Sequence, residues 1–335
     1  MGLFMDADGI PLAFDVFPGN QNEQTTLKPL ETKIIRDFAC SEFIFCSDAG
    51  LGSKANRRFN SFGNRSYVIS QSLKKMRRED RQIALNPKQF RRLGSNKFID
   101  ISTLDESDPD IYETIFYKEV PVVNGDMNEI VIVTYSPKYK AYQKRIRGQQ
   151  IARAVKMIEQ PGRKRRGKNQ NDPARFIKST AITENGEVAG RNIYDLDSDR
   201  ISEEEMYDGF YAVITNLEGD VGEILKINRQ RWEIEENFRI MKTDFEARPV
   251  YVRRDERIKA HFLICYISLL VYRLLEKKLG NAYTCNEILG TLRSMQVTLL
   301  SKESGYIPSY KRTDMTDDLH KVFCLLYTSP SPRDA

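Results

Sequence analysis

Residues 227–242 read INRQRWEIEENFRIMK, and four of their side chains, Asn228, Arg231, Glu235 and Lys242, recur at intervals of three, four and seven. At the angular step of an α-helix these four fall within an arc of about 60°. One face then presents an amide, a guanidinium, a carboxylate and an ammonium. A carboxylate between two cations has its charged form favoured, which suits a metal ligand, and the cations are spaced to grip phosphates on either side. Arg231 and Glu235 are equally an i,i+4 pair of the kind that bridges an ordinary helix surface. Spacing alone leaves both readings open.

Working outward, the helical pattern around this run extends from about 222 to 244, behind an apolar strand at 209–215 (GFYAVIT). A second helix is expected over 257–279. Its most apolar part, Phe262–Tyr272, is about half a membrane span and is flanked by Lys259, His261 and Arg273, so it reads as a buried helix. Trp232 and Phe238 are expected to face the core or a neighbouring helix, and His261 to be a satisfied core histidine. At the head of the chain, MGLFM-DADG-IPLAFDVF reads as strand, turn and strand, with Asp8-Gly9 as the hairpin signal. A helix follows over 25–38. The short run Phe43-Ile44-Phe45-Cys46 reads as a buried strand that ends at Ser47-Asp48-Ala49-Gly50. Asp48 therefore stands at the carboxyl end of a strand, where open α/β sheets gather functional residues, although on local grounds alone a turn-forming role before Gly50 is the better account. Helix at 53–62 and strand at 66–70 complete this part.

Length and composition narrow the class. The chain has 335 residues, enough for roughly two domains, and 40% apolar with 30% charged residues argues against disorder. Cysteines at 40, 46, 265, 285 and 324 contain no CxxC pair, and there are two histidines, which argues against a zinc ribbon, a zinc finger or a disulfide framework. The first residues lack the basic and apolar regions of a signal peptide.

Net charge is +5, but it is strongly segregated. From 57 to 97 twelve Lys/Arg face two acidic residues, and from 138 to 168 another twelve face Glu159 alone. The leading members are Arg57, Arg58, Lys74, Lys75, Arg77 and Arg78 in the first cluster, and Lys144, Arg145, Arg147, Arg163, Lys164, Arg165 and Arg166 in the second. Two such clusters suit a polyphosphate, and Tyr135, Tyr139 and Tyr142 interleave with the second as aromatics that stack on bases. A solvated basic surface is the plainer alternative. The region 71–205, which holds most of the first cluster and all of the second, with a strand at 130–135 and a low-order connector at 161–173, reads as a separate β-rich insertion.

The run R-Q-R-W-x-I-E-x-x-F-R-x-x-K resembles the Y-R-E-K signature of insertion-sequence DDE transposases. Arg231, Glu235 and Lys242 match in identity and spacing, whereas Asn228 stands in the place of the tyrosine. GIPLAFDVFPGNQNEQTTL and FIFCSDAGLGSKAN resemble the segments before and around that family's second aspartate, and RPVYVRRDERIKAHFLICYISLLVYRLLE resembles its helical end. The resemblance covers most of 1–280. It implies an α/β, ribonuclease H-like mixed sheet with flanking helices, interrupted by the insertion between Asp48 and Glu235. Core segments are then 1–70 and 206–300, with 301–335 as a tail. It also implies two-metal phosphoryl transfer on double-stranded DNA at element ends and target, with Asp48 and Glu235 as catalytic metal ligands for two Mg²⁺ (or Mn²⁺) ions. Arg231, Lys242 and Asn228 would contact DNA phosphates. A homodimer on DNA, a nucleoid-associated cytoplasmic location in a prokaryote and no membrane partner complete the expectation.

This chain departs from the pattern in two places. The family's triad takes two aspartates and a glutamate, and the first aspartate lies on a central strand ahead of the hairpin that opens this sequence. Asp6 and Asp8 fall at the hairpin turn and Asp15 on the returning strand, so none is a substitute. The last twelve residues, CLLYTSPSPRDA, resemble a translated sequencing adapter rather than a protein terminus. The expectation is a fragment lacking its first strand and unable to catalyse strand transfer. A non-catalytic DNA-binding remnant and an RNA-binding protein are the competing classes.

Overall fold

The computed structural model describes residues 1–38, 42–159, 171–182, 191–301 and 305–323. The chain runs β1 (Gly2–Met5), β2 (Pro11–Asp15), α1 (Glu23–Phe38), β3 (Glu42–Ser47), α2 (Lys54–Phe59), β4 (Asn64–Ser70), α3 (Arg78–Leu85), β5 (Phe90–Arg92) and β6 (Phe98–Ile99). It continues through α4 (Pro109–Glu113), β7 (Phe116–Asn124), β8 (Met127–Tyr135), α5 (Pro137–Glu159), β9 (Ile177–Ile182), β10 (Arg191–Leu196), α6 (Ser198–Glu205) and β11 (Phe210–Thr215). The last part comprises α7 (Val221–Gln230), α8 (Trp232–Arg239), α9 (Asp255–Lys278), α10 (Cys285–Ser294), β12 (Val297–Ser301), β13 (Gly305–Pro308) and α11 (Asp314–Phe323). Two compact units divide the chain: Met1–Cys40 with Arg229–Ala335, and Ser41–Asn228.

The continuous unit is built on a mixed seven-stranded sheet of order β3-β4-β11-β8-β7-β5-β6. Only β3 and β4 run parallel, with Cys46 opposite Val68 and Ser47 opposite Ile69. The other neighbours are antiparallel. Tyr67, Val68 and Ile69 of β4, Val131–Val133 of β8 and Ala212–Ile214 of β11 are all buried, the continuous apolar runs expected of strands covered on both faces. α7 packs Val221, Ile224 and Leu225 against Val68, Ile132 and Val213.

The segment 71–205 differs from the separate insertion expected from its charge pattern. β5, β6, β7 and β8 belong to the same sheet as β3, β4 and β11, and β8 pairs with β11 over six residues. The segment also carries the 23-residue α5. Strand pairing across intervals of 70 residues and more leaves no local trace in sequence. Most of the connector, 161–170, lies outside the described residues, as do 324–335.

The discontinuous unit opens with the β1–β2 hairpin, a two-stranded sheet of its own in register Gly2 to Asp15 and Phe4 to Ala13. Its turn is Gly9, at φ 76°, in the left-handed region that glycine adopts without a Cβ penalty. Buried Asn237 of α8 donates from Nδ2 to the Gly9 carbonyl (2.9 Å), and Arg273 of α9 donates from Nε to the same oxygen (3.3 Å). The core gathers Ile240, Met241, Ala247, Cys265, Leu269, Tyr272, Ile288, Met315 and Leu319. Met315 and Leu319 belong to α11, so part of the 301–335 tail is a core helix. His261 meets its sequence expectation: Nε2 donates to the Ala247 carbonyl at 3.0 Å.

Candidate active site and nucleic-acid interface

In the continuous unit, β3 delivers Asp48 one residue beyond the end of the parallel ladder. The carboxylate is exposed, and its Oδ1 accepts from the backbone N–H of Gly50 (2.8 Å) and Leu51 (3.4 Å). A Cβ on Gly50 would stand 3.0 Å from that oxygen, so glycine lets the turn close over the carboxylate. The loop is fixed below by buried Asn56, whose Nδ2 donates to the Leu51 carbonyl (2.9 Å), and by Ser53, which caps α2. The turn-forming reading of Asp48 is thus realised, with Oδ2 left open to a ligand.

The helix expected over 222–244 is three segments. α7 ends at Gln230, α8 begins at Trp232, and a π-helical turn covers Ile240–Asp244, closed by the Phe245 N–H on the Ile240 carbonyl (3.0 Å). Ile240 and Met241 are both buried, and the wider turn carries both into the core; π turns of this kind recur at functional sites. Wider turns also change the angular register, so Glu235 and Lys242 are no longer related by a uniform helix.

α8 sorts three glutamates by direction. Glu233 turns inward to a buried ion pair with Arg273, which also holds Glu276 at 2.6 Å. Glu236 pairs with Arg239 at 2.6 Å, and that hydrogen bond lowers its carboxyl pKa. Glu235 projects into solvent, with Oε1 3.3 Å from Arg231 Nη1 and Oε2 open. Lys242 is exposed and makes no ion pair or hydrogen bond among the described residues. Trp232 is 58% exposed and Phe238 38%, against the expectation that they face the core or a neighbouring helix. The inward positions of α8 are taken by Glu233 and Asn237, a polar pair devoted to the hairpin turn. Sequence reading missed Glu233, Asn237 and Arg273. Their one signal was an arginine inside an otherwise apolar helix.

Asn228 sits elsewhere. It is buried at the end of α7 in the continuous unit, where Nδ2 donates to Tyr211 Oη (3.2 Å), and that hydroxyl lies 2.6 Å from Ser70 Oγ. Its amide is engaged in an internal network of that unit. Asp48 and Glu235 likewise belong to different units.

The basic clusters sort in the same way. Arg57 is no part of a solvated face: its Nη1 lies 2.6 Å from buried Glu129, which also accepts from Tyr67 and Asn124. Arg147 grips Asp208 through both nitrogens at 2.6 Å, with side chains 7% and 9% exposed, and this hydrogen-bonded pairing raises the guanidinium pKa. Both arginines need buried carboxylates, because an unpaired buried charge is costly. Tyr135 is also interior. Burial, and then its bond to Glu106, pushes its hydroxyl pKa up to about 12. Arg58 pairs with Asp126 at the surface, Lys74 lies over the Tyr207 ring, and Lys75, Arg77 and Arg78 are exposed. On α5 the exposed residues Tyr142, Arg145, Gln149, Arg153 and Lys156 recur every three or four positions, a single helix face. Tyr139 and Tyr142 stack at 6.3 Å, with Arg145 5.5 Å above Tyr142. Arg163, Lys164, Arg165 and Arg166 lie outside the described residues.

Residues 1–271 match the family model of the transposase DDE domain. The chain belongs to that family. Transposases of this family cut and join DNA, so DNA is the substrate and divalent metal the general requirement. Comparison with curated proteins gives no match. Hard, exposed carboxylate oxygens such as Asp48 Oδ2 and Glu235 Oε2 fit Mg²⁺ or Mn²⁺ in chemistry. Among the described residues, no group of three or more His, Cys, Asp or Glu side chains is gathered to hold a metal ion.

Proposed function

We propose that this transposase-family chain carries part of the two-metal strand-transfer machinery of an insertion-sequence element, on a ribonuclease H-like arrangement of its strands. The observation that carries the reading is the pair Asp48 and Glu235. The first is an exposed carboxylate one residue past β3, a parallel edge strand that buries Phe45 and Ser47 but leaves Ile44 exposed, and the second is the outward glutamate of α8 beside Arg231. Asp48 Oδ2 and Glu235 Oε2 would hold Mg²⁺ or Mn²⁺. Bound metal supplies Lewis-acid polarisation of the phosphoryl group and activation of the attacking hydroxyl. Arg231 orients a donor-end phosphate through its planar fork, and Lys242 adds a point charge from the π turn. The α5 face holds duplex backbone through Arg145, Arg153 and Lys156. Two element ends are brought together by a homodimer, on the chromosome of a prokaryotic cell.

The finer proposal is that 1–335 binds DNA but does not transfer strands by itself, because among the described residues no three carboxylates gather to hold a metal ion. A non-catalytic DNA-binding role is favoured to that extent. The test is supercoiled-plasmid nicking by purified 1–335 in Mg²⁺ and in Mn²⁺, beside Asp48→Asn and Glu235→Gln. No nicking, with salt-sensitive duplex binding in all three proteins, is the expected result. Metal-dependent nicking that Glu235→Gln abolishes would overturn that proposal.

A further inference from the structure

α9 is apolar nearly all round, and its 24 residues are long and apolar enough to cross a membrane. Phe262, Cys265, Leu269, Tyr272 and Arg273 form its buried face. The opposite face carries Ala260, Ile264, Ile267, Val271 and Leu274 at intervals of 4, 3, 4 and 3. Ile264 is 66% exposed, Ile267 49%, Val271 59% and Leu274 46%. At the α-helical step this second stripe fills an arc of about 80°, opposite the first. The sequence suggested a buried helix at Phe262–Tyr272, and one face of it is buried. A 4-3-4-3 apolar seam with β-branched Ile264 and Val271 at one of its two positions is the pattern that pairs one helix with another, not that of a solvated surface.

We infer that this seam is the homodimer contact, and that α9 pairs with α9 of a second copy in antiparallel register about a twofold axis at Ile267. In that register Ile267 meets its own copy, Ile264 lies opposite Leu270 and against Val271 one residue on, and small Ala260 meets larger Leu274. The ends complement as well. Glu256 and Lys278 lie eleven residues on either side of Ile267, and the first turn carries Asp255 and Glu256 while the last carries Lys277 and Lys278. Antiparallel pairing sets acid against base at both ends. A parallel pair would set Glu256 against Glu256 and Lys278 against Lys278, which repel. A lipid bilayer fits the stripe less well, because the same helix commits Arg273 to a buried ion pair with Glu233 and Glu276.

The inference deepens the two-ended reaction proposed above, but it is read without DNA or metal. Loss of the transposition reading would leave self-association standing, and the reverse holds too. The experiment is sedimentation equilibrium of the full chain from about 1 to 100 μM, where a modest interface passes from half to full assembly. Wild type is expected to form a dimer. Ile267→Glu puts two carboxylates on the axis and should weaken it by about 100-fold or more, with a melting curve that matches wild type at dilutions where both are monomeric. Glu256→Lys and Lys278→Glu should each weaken it about three- to tenfold, and the double variant should restore it. A wild type that stays monomeric, a dimer indifferent to Ile267→Glu, or single charge variants that the double does not rescue would overturn the proposal. So would co-flotation of wild type with phosphatidylcholine vesicles that Ile267→Glu abolishes. A monomer whose melting temperature collapses in Ile267→Glu would assign the seam to another part of the same chain, and would overturn it too.

Discussion

Replacing Arg147 with methionine removes the cation that α5 sends to the entry of β11. Both Arg147 terminal nitrogens bond Asp208 at 2.6 Å, Glu205 stands 3.3 Å away, and both main partners are almost fully covered. Without the guanidinium, Asp208 is a buried carboxylate with its principal partner gone. Breaking one side of such a pair costs about 3–5 kcal/mol. Asp208 precedes Gly209, whose N–H bonds Gln143 of α5, so the loss falls on the joint between helix and sheet. For a unit of this size each kcal/mol lowers the melting temperature by about 2–4 °C, so the expected drop is roughly 6–20 °C. Replacing both partners, Arg147→Met with Asp208→Leu, should recover most of it, because no charge is then stranded. Thermal melting by circular dichroism reads both variants. The exposed neighbour Arg145→Ala should leave the melt alone and flatten the log K against log salt slope for duplex binding by about 0.9. If Arg147→Met costs under about 1 kcal/mol and flattens the salt slope as Arg145→Ala does, the division of the basic cluster into buried and DNA-facing members is wrong.

Lys118 provides a pH test. Burial lowers its pKa to about 8 from the usual 10.5, while the carbonyls of Ile83 and Asn86, each at 2.6 Å, accept from its ammonium. The unfolded chain then holds the proton where the folded chain does not, so stability should rise with pH between about 8 and 10.5, by at most about 1.4 kcal/mol per unit. Urea denaturation should show that rise in wild type and not in Lys118→Met; a fall across that window would contradict it. Gly9→Ala sets a Cβ 2.5 Å from Arg273 Nη2 at a positive φ, and should cost about 1–3 kcal/mol by denaturant unfolding. A neutral result would mean that the hairpin turn is not pinned by Arg273. Lys242→Ala should shift stability by no more than about 0.5 kcal/mol yet flatten the salt slope for duplex binding by about 0.9. The converse outcome would make Lys242 structural.

What the sequence disclosed was local. Asp8-Gly9 between apolar runs marked the hairpin, and Phe43–Cys46 stopped by Ser-Asp-Ala-Gly marked β3 and placed Asp48 at its end. Arg231, Glu235 and Lys242 stood out by spacing, and Glu235 indeed faces outward. What it hid was long-range. Counting charges made Arg57 and Arg147 surface cations, because nothing local shows that Glu129 lies 72 residues from one and Asp208 61 from the other. Pairing of β8 with β11 was invisible for the same reason. The π turn at 240–244 was hidden because adjacent buried side chains at Ile240 and Met241 fit an ordinary helix pattern as readily as a widened one. Asn228 could be placed on a face by arithmetic, but its bond to Tyr211 depended on where β11 lies.

Titration of Mn²⁺ into purified 1–335, followed by electron paramagnetic resonance of the free ion, tests the proposed chemistry most directly. Asp48 and Glu235 lie 187 residues apart in sequence and in different units, so a shared ion is a demanding requirement. The account predicts Mn²⁺ binding that Asp48→Asn and Glu235→Gln each weaken by about tenfold or more, since each removes one hard oxygen ligand and its charge. Binding that neither substitution changes would contradict the assignment of these carboxylates as metal ligands.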